Sequence, residues 1–169
     1  AMFLRPMAEL YRGFVPPVFR EAIGNALDNM GSPVVLVNDL LQGQPSRAWQ
    51  TASRLVINTT LGVGGLWDAG DKLFNIPGHD EDFGQTLGVW GVGEGFYLVL
   101  PILGPSNPRD GIGKHIVDAF FDPLNLWAVN TDRDGIKWGR TGVGAVHSYS
   151  GLMDELDQTR KTSIDYYAT

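Results

Sequence analysis

The sequence contains no cysteine and little charge, and both absences narrow the classes of protein that it can form. Without thiols, disulfide bonds and thiolate metal sites are excluded. Charged residues make up 19% of the 169 residues, below the roughly 25% usual for soluble globular chains. The net charge of -6 argues against nucleic acid, whose phosphates need a basic face, and against electrostatic docking on anionic lipid. A purely hydrophobic contact with a membrane stays open.

Long apolar runs and alternating strand patterns are also missing. No run reaches the roughly 18 apolar residues of a spanning helix. The segment FYLVLPIL is the only strand candidate, and Pro101 within it disfavours a strand. Apolar residues instead recur at helical spacing, as at Phe19, Ile23, Ala26 and Met30. We therefore predict an all-α fold of six or seven short helices in a single domain over residues 1–169, with no sheet larger than a hairpin.

Proline, glycine and small polar residues predict where the helices begin and end. One helix is expected to end at Gly31, and a second to begin at Ser32, with Pro33 in its first turn. Further helical segments are expected over 45–62, 64–74 and 106–123. The last helix is expected from about Asp134 to Thr162.

Apolar residues also occupy segments that are too rich in proline and glycine for helices. In DKLFNIPG the residues Leu73, Phe74, Ile76 and Pro77 form such a segment. Loops normally lie in water and are polar, so an apolar loop needs a partner surface or an apolar phase. One interpretation is a loop tucked over the core, and the other is an apolar flap that moves against lipid. The pattern alone favours the tucked loop.

Several patterns resemble catalytic or ligand motifs without matching them. The glycines of GVWGVGEG, at Gly88, Gly91, Gly93 and Gly95, miss the third glycine of the dinucleotide fingerprint and follow no strand. The segment GHDED (78–82) lacks the spacing of a calcium loop and is predicted to be a solvated turn rather than a metal site. The histidines are scattered, and no nucleophile elbow occurs. We therefore predict no catalytic residues, no metal and no cofactor.

The most basic local stretch, RDGIKWGRTGVG, suggests a contact with a phosphate. Lys137 and Arg140 are three residues apart and can share a helix face, and the neighbouring glycines leave room for a bulky ligand. Lysine binds a phosphodiester as a point charge and arginine binds it bidentately. The alternative is a solvated helix face on which these cations pair with Asp132 or Asp134.

Five segments in order carry a resemblance to a known family: LRPMAELYRGFVP, VNDLLQG, RLVINTTLGVGGLWD, DFGQTLGVWGVGEGFYLVLPILGPSNPRDGIG and DPLNLW. Together they resemble the MlaA (VacJ) lipoproteins of Gram-negative outer membranes, from about Leu4 to Tyr167. Members of that family begin with a signal peptide, a lipidated cysteine and a further helical segment. Such a segment is expected to precede this sequence.

The resemblance implies a function without covalent chemistry. MlaA proteins remove mislocalised phospholipid from the outer leaflet of the outer membrane and pass it through a channel to the periplasmic carrier MlaC. The implied fold is a ring of helices in the inner leaflet, usually beside trimeric porins. The resemblance further implies that the segment before FGQTLG governs channel opening. It also implies that the glycine cluster is a hinge and part of the channel wall, and that Lys137 faces the channel. A lipid hydrolase and a soluble helical interaction module remain as alternatives.

Overall fold

The computed structural model describes residues 4–93, 98–100, 104–106, 109, 117–131 and 133–162. Within these residues the chain forms eight helices and two short strands. The helices are α1 (Leu4–Phe14), α2 (Pro17–Leu41), α3 (Pro45–Thr60), α4 (Ala69–Phe74), α5 (Phe83–Val89), α6 (Asp118–Phe121), α7 (Pro123–Asn130) and α8 (Asp134–Thr162). The strands are β1 (Leu98–Leu100) and β2 (Gly104–Ser106), which pair antiparallel. The all-α prediction is confirmed, with no sheet larger than this hairpin in the described residues.

Aspartates begin three of the short helices. The carboxylates of Asp68, Asp82 and Asp122 accept hydrogen bonds from backbone N–H groups in the first turns of α4, α5 and α7. These caps satisfy donors that have no partner inside a helix. At the other end of α4, Asn75 adopts a left-handed conformation with φ of 52°, which asparagine tolerates better than most residues. Local chemistry therefore sets the bounds of elements too short to be stable alone.

The predicted break at Gly31 is wrong, because α2 continues through Gly31, Ser32 and Pro33 without interruption. Ser32 does not cap a new helix. Its hydroxyl donates to the carbonyl of Asp28 one turn earlier, at 3.0 Å. A proline inside a helix removes one hydrogen bond and bends the axis, and packing of α2 against α3, α5, α6 and α8 offsets that cost.

The helices form a closed circuit in which the first helix meets the last. The long helix α2 packs against α3, and α3 against α4, while α7 joins α6 to α8. The circuit closes where α1 packs on α8. There Arg12 Nη2 lies 2.7 Å from Asp154 Oδ1 and 2.9 Å from Asp157 Oδ2, and Arg20 Nη1 lies 2.8 Å from Asp154 Oδ2. The arrangement is ring-like, as the family resemblance implies.

Polarity is inverted relative to a water-soluble domain. Among the described residues, the buried hydrophobic side chains are four alanines: Ala8, Ala48, Ala69 and Ala128. Buried polar side chains outnumber them and include Asn38, Asp39, Thr86 and Ser150. Large apolar side chains lie outside, with Phe14 81%, Trp49 76% and Trp138 71% exposed. An exterior this apolar requires a partner surface or lipid.

In the part of the chain that the structure describes, no helix is both long enough and apolar enough to cross a membrane.

Candidate functional site

Three adjoining cavities lie inside the circuit of helices. Their volumes are about 210, 470 and 520 Å³, and we number them first, second and third in that order. Asp28 lines the first and second, Asp80 lines the first and third, and Lys137 lines the second and third. The shared residues make the cavities a continuous space, which we call the central cavity, between α2, α3, α7, α8 and residues 78–82. Its size is in the range of small-ligand sites.

Helix α8 presents both predicted phosphate-contact residues to the central cavity. Lys137 lines the second and third cavities, and Arg140 lines the second. Arg140 Nη1 forms an ion pair with the buried carboxylate of Asp122, the residue that caps α7. Within the described residues Lys137 has no ion-pair partner. The side chain of Asp134 and all of Asp132 lie outside the described residues, so the predicted alternative pairing with them is not tested. Lys137 therefore supplies an available positive charge, whereas the charge of Arg140 is already paired.

Two carboxylates face the same space from other elements. Asp28 comes from α2, and Asp80 comes from the segment that precedes α5. Asp28 is exposed to the open cavity but surrounded by protein. Desolvation first, and then the negative charge of Asp80, raise the pKa of Asp28 above its ordinary value of 3.8. The central cavity thus carries charges of both signs on opposing walls.

The apolar segment predicted as a gate directly precedes Gly78, His79 and Asp80, which line the first cavity. Leu73 and Phe74 form the last turn of α4 and are 54% and 52% exposed. Ile76 and Pro77 follow, and their carbonyls accept hydrogen bonds from α3: Arg54 Nη1 donates to Ile76, and Gln50 Nε2 donates to Pro77 at 2.7 Å. The gate segment (73–77) is therefore apolar on its side chains and held by its backbone, and its movement stays a prediction.

The prediction that residues 78–82 form a solvated turn is wrong. His79 Nε2 lies 3.0 Å from Oδ1 of the fully buried Asp39, and Glu81 Oε1 lies 2.7 Å from Arg47 Nη1 with only 8% of Glu81 exposed. Asp39 and Arg47 come from α2 and α3, which no local pattern reveals. The described residues contain no group of three or more His, Asp or Glu side chains placed to hold a metal.

The sequence does not predict a buried polar cluster that lies beneath the central cavity. Asn38 Nδ2 donates to Asp118 Oδ1 at 2.9 Å, and Asn38 Oδ1 accepts from Thr86 Oγ1 at 2.8 Å. Asp118 also accepts from the backbone N–H of Phe83 at 3.1 Å. The cluster joins α2, α5 and α6. Its signal in the sequence is the pair Asn38–Asp39 inside the apolar run VVLVNDLL, where buried polar side chains need partners.

The predicted glycine hinge does not line the central cavity at its described positions. Gly88 lies in α5, where an added Cβ would come within 3.1 Å of Arg109 Nη1. Gly91 follows α5 with φ of +85°, a conformation that favours glycine, and Gly93 has open space around it. Gly95 lies outside the described residues. A hinge at this cluster stays a prediction.

An apolar groove marks the outside of the circuit on α3. Trp49, Ala52, Ser53, Val56 and Ile57 line a depression of about 300 Å³ with almost no polar surface. The opposite face of α3 carries the polar anchors Gln50 and Arg54. One helix therefore separates an apolar exterior from a polar interior.

Two known proteins with similar sequences share a description. The chain is 34% identical to the Escherichia coli "Intermembrane phospholipid transport system lipoprotein MlaA" over 169 residues, covering 96% of this chain and 63% of that protein. It is 30% identical to the Haemophilus influenzae protein of the same name, covering 96% of this chain and 64% of that protein. A Rickettsia bellii protein of undescribed function is 32% identical over 99% of this chain and 64% of its own length. The chain therefore spans just under two thirds of these relatives.

A solved structure and a family profile agree with these relatives. The structure comes from work described as "Structural basis for maintenance of bacterial outer membrane lipid asymmetry" and matches with a TM-score of 0.74 at 31% identity. The match covers 98% of this chain and 81% of that one. The profile described as MlaA lipoprotein matches residues 1–169. With its ring-like circuit of helices and its inverted polarity, the chain belongs to the MlaA lipoprotein family.

Proposed function

We propose that this chain is a phospholipid channel that removes mislocalised phospholipid from the outer leaflet of the outer membrane. The observation that carries the proposal is the inverted polarity, with a charged central cavity inside and large apolar side chains outside. A phospholipid headgroup moving between leaflets needs such a polar path, because an unpaired charge in hydrocarbon is costly. The names of the relatives point to the same cargo.

The proposed role of Lys137 is to contact the lipid phosphate. Its ammonium lines the two larger cavities and has no ion-pair partner in the described residues. Arg140 is the second candidate. It would have to exchange Asp122 for the phosphate, and breaking a largely buried pair costs free energy. Lys137 is therefore the main contact and Arg140 a supporting one.

The exterior supports a position in the inner leaflet of the outer membrane. Exposed aromatic and aliphatic side chains lie on α1, α2, α3 and α8, and they would face acyl chains. The groove on α3 is a place where a trimeric porin could pack, since its lining is almost wholly apolar. The lipid leaving the channel would pass to the periplasmic carrier MlaC. No covalent step is required of the chain.

The gate segment supports a controlled opening. Its side chains are apolar while its backbone is held by two hydrogen bonds from α3. Exchange of a few hydrogen bonds with water is a small barrier, in line with loop motions that open binding sites. Because Arg54 both lines the first cavity and holds Ile76, movement of this segment would open or close the polar path at that side.

Reversal of the charge at position 137 tests the proposal. Lys137→Asp, expressed in a Gram-negative strain lacking its own family member, is expected to leave phospholipid in the outer leaflet at the level of the empty strain. Arg5→Asp is the matched control, because Arg5 is 69% exposed on α1 and lies away from the central cavity. It is expected to restore lipid asymmetry.

Two further measurements complete the test. Circular dichroism should show equal helicity for both variants. Release of fatty acid from labelled phospholipid would instead favour a lipid hydrolase. If folded Lys137→Asp protein restores asymmetry as well as the unsubstituted chain does, the phosphate contact is wrong. If the unsubstituted chain neither restores asymmetry nor retains phospholipid, the channel itself is wrong.

A further inference from the structure

The available charges of the central cavity comprise one cation and two anions. Lys137 shares the second cavity with Asp28 and the third with Asp80. Neither carboxylate has an ion-pair partner within the residues that the structure describes. The other acidic side chains at these walls are engaged: Asp122 with Arg140, Glu81 with Arg47, Asp68 with Arg54, Asp118 with the amide of Asn38, and Asp82 with the backbone N–H of Gln85. The central cavity therefore offers one positive and two negative groups to a ligand.

The three available groups come from three separate elements. Asp28 lies on α2, Asp80 on the segment before α5, and Lys137 on α8. A ligand that meets all three must carry both an anionic and a cationic centre within a single headgroup. A purely anionic headgroup would meet two uncompensated carboxylates, and like charges brought together in a concave site repel.

We propose that the central cavity selects phospholipids with a primary-amine zwitterionic headgroup, the phosphate lying at Lys137 and the ammonium at Asp28 and Asp80. This inference rests on the proposed channel function and adds the class of headgroup. An ammonium has three N–H donors, which match the acceptor oxygens of two carboxylates. Phosphoethanolamine has this chemistry, and phosphoglycerol lacks the cation.

The lining also distinguishes a primary amine from a quaternary one. Proteins hold quaternary ammonium groups in cages of Trp, Tyr or Phe rings. Among the described residues that line the second and third cavities there is no such ring. Carboxylate oxygens accept hydrogen bonds from N–H donors, and a trimethylated nitrogen has none. Phosphocholine is therefore expected to bind less well than phosphoethanolamine.

The protonation behaviour of Asp28 is consistent with this assignment. Desolvation and the charge of Asp80 raise the pKa of Asp28, while His147 and Arg54 lower it by smaller amounts. The nearby protein therefore compensates the charge of Asp28 only in part. A bound ammonium within a few ångströms would add to this compensation, because an opposite charge favours the ionised form.

Competition between headgroups tests the inference. The purified protein is incubated in detergent with equal amounts of phosphatidylethanolamine, phosphatidylglycerol and phosphatidylcholine that carry identical acyl chains. Retained lipid is then quantified by mass spectrometry. We expect phosphatidylethanolamine to exceed both others. The double variant Asp28→Asn, Asp80→Asn should lower its ratio to phosphatidylglycerol by roughly two- to fivefold for each ion pair removed.

Matched variants separate the inference from the channel function. Glu155→Gln removes the same charge from an exposed position on α8 outside the central cavity, and it should leave the ratio unchanged. Lys137→Gln should reduce all three lipids. If lipids are retained in the proportions offered and the double variant changes nothing, the headgroup inference is overturned and the channel stands. If no phospholipid is retained, both are overturned.

Discussion

Two aspartates that face the first cavity experience opposite environments. Asp68 is largely buried, and desolvation alone would raise its pKa, but hydrogen bonds from Arg54, the backbone of Asp71 and Asn58 outweigh it and hold the pKa below 3.8. Among the described residues no donor forms a hydrogen bond with the side chain of Asp28, and its pKa is raised. The ionised carboxylate of Asp68 therefore stabilises the fold, whereas the ionised carboxylate of Asp28 destabilises it.

Asn substitutions at these two aspartates should have opposite effects at neutral pH. The stabilisation from Asp68 is present above its unfolded pKa and is lost as pH falls through the lower folded pKa. Asp68→Asn should therefore reduce the free energy of unfolding at pH 7 by about 1–2 kcal/mol. Asp28 opposes folding once pH rises through its raised pKa, so Asp28→Asn should stabilise the protein at pH 7.

Denaturation in mild detergent at pH 7 and near pH 3 would measure both effects. For each variant, the difference in free energy of unfolding from the unsubstituted protein should be smaller at the lower pH. There Asp28 is protonated, and the pH approaches the folded pKa of Asp68. Equal stability of Asp68→Asn and the unsubstituted protein at pH 7 would show that its pairing with Arg54 adds nothing net.

At the scale of elements, the sequence predicts the features that local chemistry sets better than those that tertiary contacts set. The last helix has the bounds expected from its sequence, and Asp82 caps α5 as its position before FGQTLG suggests. The break at Gly31 fails because packing along α2 overrides a local stop signal. The turn at 78–82 fails because its partners Asp39 and Arg47 lie far away in the sequence.

The junction of α2, α5 and α6 should be sensitive to the loss of one amide. Asn38→Ala removes a donor to Asp118 and an acceptor from Thr86, leaving both buried without that partner. We expect a loss of about 2–4 kcal/mol in the free energy of unfolding. Asn25→Ala is the control, since Asn25 makes only a 3.2 Å hydrogen bond to the Leu66 carbonyl at an exposed site. A similar loss in both variants would contradict a special role for the junction.

A covalent link between the gate segment and α3 should stop lipid passage. Cysteines at Gln50 and Pro77 can be joined by a short bifunctional maleimide, and the chain has no native cysteine to compete. We expect the bridged protein to keep its helicity and lose the ability to restore lipid asymmetry. Each single-cysteine variant treated with the same reagent should stay active. Normal transport by the bridged protein would show that the gate segment does not move during transport.

At the scale of the whole molecule, composition predicts the exterior better than the interior. Low charge and apolar loops indicate a surface in contact with an apolar phase, and the exposed Phe14 and Trp49 agree with it. Lys137 and Arg140 were placed on one helix face by their spacing, and both line the central cavity. The packing of distant helices decides which carboxylate each cation meets. It places Asp122 against Arg140 and brings Asp28 into the same cavity as Lys137. Spacing along one helix carries no information on that arrangement.

The closure of the circuit should depend on Asp154 more than on Asp157, which pairs with Arg12. Asp154 receives both Arg12 and Arg20, at 2.7 and 2.8 Å. Asp154→Asn should lower the hydrogen-exchange protection of α1 by about fivefold, as expected for a partly exposed ion-pair network of about 1 kcal/mol. The protection of α3 should not change. Glu155→Gln, one residue further along α8, should leave α1 protected. Unchanged protection in Asp154→Asn would mean that the remaining contacts between α1 and α8 close the circuit without Asp154.

The contact between α1 and α8 also sets an order of assembly. Tyr11 and His147 are 136 residues apart in the chain, and Arg12 and Asp157 are 145 apart. Helix α1 must therefore wait until α8 has been made before its partner exists. In the meantime Tyr11 and Arg12 lack these partners, and the apolar Met7, Leu10 and Phe14, which stay largely exposed even in the folded protein, face water until lipid covers them. Such non-local pairing is slow, and the waiting species is prone to aggregate. We therefore expect the chain to need a holding chaperone or an early contact with lipid while α8 is being made.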